Sequence, residues 1–151
     1  MKRPEIKGKI KKIEPDSGYE DKIFTQNVLV KLKDGTILRI FDPDMLIKQE
    51  MAGNEIIMAL TAFLPQIQKS PGQQYSVGSD ISVSENENQQ SMHFKGRIEE
   101  FNEKRDRFIL NFGAGLMEVD IHAFQAEGFE VGDFVKFDVY RIDLNVLYPE
   151  N

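Results

Sequence analysis

Eight residues near the start of the chain, Ile6-Lys7-Gly8-Lys9-Ile10-Lys11-Lys12-Ile13, are matched near its middle by Phe94-Lys95-Gly96-Arg97-Ile98-Glu99-Glu100-Phe101. Glycine, apolar positions and the first two basic positions coincide. The apolar phase runs 6, 8, 10 and slips to 13 in one copy, and runs 94, 96, 98 and slips to 101 in the other. A period of two marks a strand with one buried face, and a slip common to both copies predicts a shared β-bulge. Such a repeat constrains the fold strongly, because each copy must build the same supersecondary unit.

The correspondence continues downstream. Val28, Val30 and Leu32 alternate with more polar neighbours, as do Phe108, Leu110 and Phe112. Turns at Lys33-Asp34-Gly35 and Gly113-Ala114-Gly115 lead to third strands carrying Leu38 and Ile40, or Met117, Val119 and Ile121. Residues 44–51 and 123–130 read as short helical segments, and turns at Gly53 and Gly132 feed last strands at 55–64 and 134–144. For a fifth strand the second copy retains only Asn145-Val146-Leu147-Tyr148, so its barrel is either open or closed by the other module.

Residues 68–91 lie between the copies and are rich in Ser, Gln, Asn and Gly. Such a segment buries too little apolar area to offset its ordering entropy, which predicts a flexible linker. Within it Tyr75, Val77, Ile81 and Val83 alternate and offer a last strand to the first module. The expected organisation is a first module at 1–67, a linker at 68–91 and a second module at 92–151. A length of 151 residues suits one compact domain or two very small ones, and 40% apolar residues argue against wholesale disorder. The absence of cysteine excludes disulfides, thiolate metal sites and thiol nucleophiles. No apolar run follows Met1-Lys2-Arg3-Pro4 and none reaches membrane-spanning length, which predicts a cytoplasmic protein with no membrane contact.

The order of strands, with Lys95-Gly96-Arg97-Ile98 at the start and Val131-Gly132-Asp133-Phe134-Val135-Lys136-Phe137 near the end, resembles the five-stranded barrels of the oligonucleotide/oligosaccharide-binding (OB) fold. An SH3-like barrel is the nearest alternative. The expected class is therefore all-β with short helical segments: two tandem OB-like small β-barrels related by internal duplication. The resemblance implies a ligand lying across the second and third strands and gripped by the loop after the first.

Reactive groups do not converge. His93 and His122 have no cysteine with which to share a metal, and nearby carboxylates follow no metal-ligand spacing, so both read as surface or turn residues. Asp42-Pro43-Asp44 reads as a cap before a helical segment. Gly113-Ala114-Gly115 lacks the lysine and hydroxyl of a phosphate loop, and the adjacent Glu99 and Glu100 point to opposite faces of a strand. The expectation is a binding protein, neither an enzyme nor a holder of a cofactor or metal.

Charge supplies the binding case. Residues 1–48 hold eleven basic and eight acidic side chains, a balance of +3, while residues 49–151 hold eight and seventeen, a balance of −9. Outward positions of the first module include Lys7, Lys9, Lys11, Lys31, Lys33 and Arg39, with Phe41 on the same side. The long loop expected at 14–26 adds Tyr19 and Phe24. Cations for phosphates and aromatics for bases suit single-stranded nucleic acid. The matching outward positions of the second module are Asn111, Glu118 and Asp120. This opposition supports an alternative, in which the protein associates with a protein partner or with its own copies and binds no nucleic acid.

Overall fold

Alternation of apolar residues places eleven strands in one continuous hydrogen-bonded sheet. The computed structural model describes residues 2–81 and 91–149. In chain order the strands are β1 (Glu5–Tyr19), β2 (Lys22–Lys31), β3 (Ile37–Asp42), β4 (Glu55–Ala62), β5 (Gln68–Lys69), β6 (Ser76–Ser79), β7 (Met92–Phe101), β8 (Arg107–Asn111), β9 (Gly115–Asp120), β10 (Phe134–Val139) and β11 (Ile142–Tyr148). A 3-10 turn at Gln49–Met51 and a one-turn helix α1 at Ala123–Ala126 are the helical elements among the described residues.

β1, β2 and β3 form an antiparallel meander, and β4 returns to lie beside β1 with Gly8 opposite Ile56. This is Greek-key order. The gap between β3 and β4 is filled by β11, from the far end of the chain. β11 runs antiparallel to β4, with Leu144 opposite Leu60, and meets β3 in a parallel bridge between Asp143 and Phe41. The back half repeats the order: β7, β8 and β9 meander and β10 lies beside β7. Its gap is filled from the front half. The end of β4 runs parallel to β9 at Thr61–Glu118 and Ala62–Val119, and β5 pairs with β10 at Lys69–Val135. Each ring of strands is completed by the other half of the chain.

The two crossing segments pass side by side, where the Phe63 N–H donates to the Arg141 carbonyl at 3.0 Å. The rings also join through β1 and β9, with Ile6 opposite Gly115. Buried side chains form one cluster that includes Ile6, Ile10 and Leu60 from the front and Ile98, Val135 and Leu144 from the back. The boundaries at 67 and 92 therefore do not separate two self-contained sheets.

The shared bulge is present. Register shifts fall between Ile10 and Lys12 in β1 and between Ile98 and Glu100 in β7. Several other expectations need correction. Residues 14–26 are not a loop: β1 and β2 continue pairing to Tyr19 opposite Lys22, so the segment is a two-stranded ribbon. The strand expected at 134–144 breaks at Tyr140-Arg141 into β10 and β11, because the chain changes partners there. The linker expected at 68–91 carries β5 and β6. β6 pairs with β7, Val77 opposite Phe94, and so serves the back ring rather than the first module. Val83 and the rest of 82–90 lie outside the described residues.

Asp42 is fully buried and is not a helix cap, because the helical segment expected at 44–51 is only the 3-10 turn at Gln49–Met51 and Lys48 occupies its N-cap position. Its carboxylate accepts from the Leu46 and Ile47 N–H groups at 2.9 Å each and from Gln26 Nε2 at 2.8 Å. Those three donors fix the turn after β3, a structural use of the carboxylate.

Candidate nucleic-acid interface

The strands of the front ring sort the expected binding residues into three places. Lys7, Lys9 and Lys11 from β1, Lys31 at the end of β2 and Lys33 in the turn after it line one open groove of about 900 Å³. Lys9 and Lys31 are cross-strand neighbours. Lys11 keeps the outward phase of Lys7 and Lys9, and the bulge between Ile10 and Lys12 shifts the alternation only after it. Opposing charge is sparse. Asp34 and Glu55 line the same groove, and Lys7 Nζ lies 4.0 Å from Glu55. Among the described residues, no carboxylate lies within ion-pair distance of Lys9, Lys11, Lys31 or Lys33. The floor between the lysines is Gly8 and Leu32, with Gly113 and Ala114 reaching in from the back ring.

Arg39 and Phe41 belong to a second groove, with Asn27, Asp16, Tyr140, Arg141 and Ile142. They do share a sheet face with Lys31, since Asn27 pairs with Phe41, Leu29 with Arg39 and Lys31 with Ile37. The face is nevertheless interrupted. Leu29 is 0% exposed, and Ile37 is half-buried where Ser79 Oγ donates to its carbonyl at 2.5 Å. The unbroken apolar run Val28-Leu29-Val30 is the sequence signal that β2 is covered on both faces here. Phe41 is not an open stacking surface either. The Arg141 guanidinium lies 4.9 Å from its ring centre and 4.8 Å from that of Phe63, and is held by two hydrogen bonds to Asp143 at 2.8 and 3.1 Å. Tyr140 beside it is 68% exposed. Tyr140 and Arg141 escaped sequence reasoning because the other half of the chain supplies them.

Tyr19 and Phe24 stand at the third place, the far end of the ribbon, 70% and 53% exposed. At about 3.3 Å per residue, the ten residues between Lys9 and Tyr19 put the ribbon end roughly 30 Å from the lysine groove.

The matching surfaces of the back ring are neutralised. Glu99, the bulge residue corresponding to Lys11, accepts from Asn111 at 3.0 Å and pairs with Arg97 and with Lys2. Burial pushes its carboxyl up, but Asn111, Lys2 and Arg97 outweigh that and hold it below its ordinary value. Lys95 Nζ donates to Gln74 at 3.3 Å, and Tyr75 sits edge-on to Phe134 at 5.3 Å. The outward Glu118 and Asp120 carry their own counter-ion, Arg107, whose Nε donates to Asp120 at 2.8 Å. His122 is exposed and stacks on Phe124. His93 does more than sequence suggested: its ring nitrogens lie 2.7 Å from Asp138 on β10 and 3.4 Å from Asp80 after β6. The Asp138 hydrogen bond raises its pKa against the opposing effect of burial, so protonation tightens the attachment of β6 and β10 to β7.

Among the described residues no helix is long and apolar enough to cross a membrane, and no group of three or more His, Cys, Asp or Glu side chains forms a metal site. No protein-family model matches the chain, and no curated protein matches its sequence.

Proposed function

We propose that the protein is a non-enzymatic binder of single-stranded nucleic acid, acting weakly and without sequence specificity through its front ring, and that its two rings are OB-like barrels arising from an internal duplication. The observation that carries this reading is the groove in which five lysines meet two carboxylates. Lysines on a regular strand lattice offer phosphates a row of point charges, and the free energy comes from released counterions rather than base contacts. The Greek-key order of each ring supports the OB reading over the SH3-like one, and in OB barrels the ligand lies across the second and third strands. Tyr140, beside Phe41 in the second groove, borders that surface and supplies an exposed aromatic face. A net charge of −6 opposes long-range attraction, so binding is confined to low salt. Association through the acidic face of the back half is the weaker reading, because Arg107 already pairs with Glu118 and Asp120.

Titration of a labelled single-stranded oligonucleotide tests this. Binding is expected at low salt with a log–log salt slope of about −2 to −3.5, as roughly three to five phosphate contacts give on single strands. The double reversal Lys9→Glu/Lys31→Glu abolishes it, while Arg39→Ala weakens it only severalfold. Absence of binding at low salt, or binding indifferent to the reversal, refutes the reading.

A further inference from the structure

The hairpin of β1 and β2 is electrically polar along its length. One end carries Lys7, Lys9, Lys11, Lys31 and Lys33 around the groove. The other end carries Asp16, Glu20 and Asp21 against Lys22, with Tyr19, Ile23 and Phe24 exposed among them. We propose that the ribbon end of one copy seats in the lysine groove of a second copy, giving head-to-tail self-association.

Three features of the molecule support this occupant. The charges are complementary: acidic side chains surround an aromatic tip, and lysines surround a floor of Gly8, Leu32 and Ala114. The ribbon cannot serve its own groove, because the paired strands hold the two ends roughly 30 Å apart. The corresponding surface of the back ring is already filled in this manner, by an aromatic. Tyr75 lies against Phe134 and Gly113 there, with Gln74 bonded to Lys95. The front groove presents the same strand positions with no cover among the described residues. Among the described residues the ribbon beyond Gln26 pairs with itself alone, and a two-stranded ribbon is marginal in water, so burying its tip also stabilises the arm.

A ribbon-to-groove contact is heterologous, so it does not close on itself and propagates into chains. It also occupies the lysines assigned above to phosphate, which makes assembly and nucleic-acid binding mutually exclusive. The proposal nevertheless stands without that assignment.

Sedimentation equilibrium with no nucleic acid present decides it. The full chain is expected to grow beyond dimer as concentration rises from about 10 µM to 1 mM at low salt, and to lose at least tenfold in association constant at about 0.3 M salt. The ribbon variant Tyr19→Ser/Asp21→Ser and the groove variant Lys9→Glu/Lys31→Glu are each expected to be monomeric, with circular dichroism unchanged because all four side chains are exposed. Mixed one to one, they retain one intact ribbon and one intact groove and must form a dimer that grows no further. A full chain monomeric throughout, a ribbon variant that still assembles, or a mixture that stays monomeric overturns the proposal. Failure of oligonucleotide binding leaves this result untouched, and the reverse holds too.

Discussion

Removal of residues 142–151 is expected to unfold the front half of the protein rather than trim its end. Ile142 and Leu144 are 0% and 2% exposed, and each contributes about 1.5–3 kcal/mol by burial. Without β11, the facing backbone groups of β4 lose their partners, at about 1–3 kcal/mol for each one left buried. Together these losses exceed about 5 kcal/mol, the lower end of what holds a domain folded. The same strand anchors the amino-terminal segment: the Tyr148 hydroxyl donates to the Pro4 carbonyl at 2.9 Å and Arg3 stacks 3.6 Å over the ring. The truncated chain should show collapsed amide dispersion for β1–β4 and no cooperative melt. A truncated protein melting like the intact one would contradict the pairing of β11 with β4.

Gly96→Ala should be the most damaging of the conservative glycine substitutions. A Cβ there falls 2.0 Å from the Asn111 carbonyl oxygen and 3.0 Å from Phe112 Cα, both main-chain atoms that cannot rotate aside. β7 and β8 must separate, and they carry Phe94, Ile98, Phe108 and Leu110, all essentially inaccessible. The expected loss is about 3 kcal/mol or more, which lowers Tm by roughly 6–12 °C for a protein of this size. Gly8→Ala is the graded comparison. Its Cβ meets the Val30 side chain at 2.3 Å but the nearest main-chain atom only at 3.4 Å, so a rotamer change absorbs part of the strain. Gly78→Ala meets nothing within 4 Å and should be nearly neutral. Thermal melts of the three should rank Gly96, Gly8, Gly78. A Gly96→Ala protein as stable as Gly78→Ala would mean that the two strands do not approach this closely.

What alternation and turn chemistry encode was legible in the sequence. The buried positions of β1 and β7, the bulge after Ile10 and Ile98, and the positive-φ turn residues Gly35 and Gly113 all follow from local pattern. The partner of a buried face does not. Ile142 and Leu144 announce a strand with a covered side, but a period of two reads the same whether the cover is β10 or β4. The ribbon was hidden for a different reason. Pro15, Asp16, Ser17, Gly18 and Asp21 are turn formers, and a free-standing ribbon buries no face that would impose alternation. The candidate site was half legible. The five lysines follow from alternation, whereas the separation of Arg39 and Phe41 depends on the cover over Leu29 and on an arginine arriving from the other half.

Reciprocal exchange of closing strands is the claim on which the fold rests, and cutting the chain tests it most directly. Asp80 N–H donates to the Ser91 carbonyl at 3.3 Å, so the two ends of segment 82–90 lie together and a protease site placed between them leaves every described pairing intact. After cleavage, size exclusion under native conditions should give one particle containing both fragments, with a single cooperative melt and separation only in denaturant. Fragments that part into two folded species without denaturant would show that each half closes its own ring.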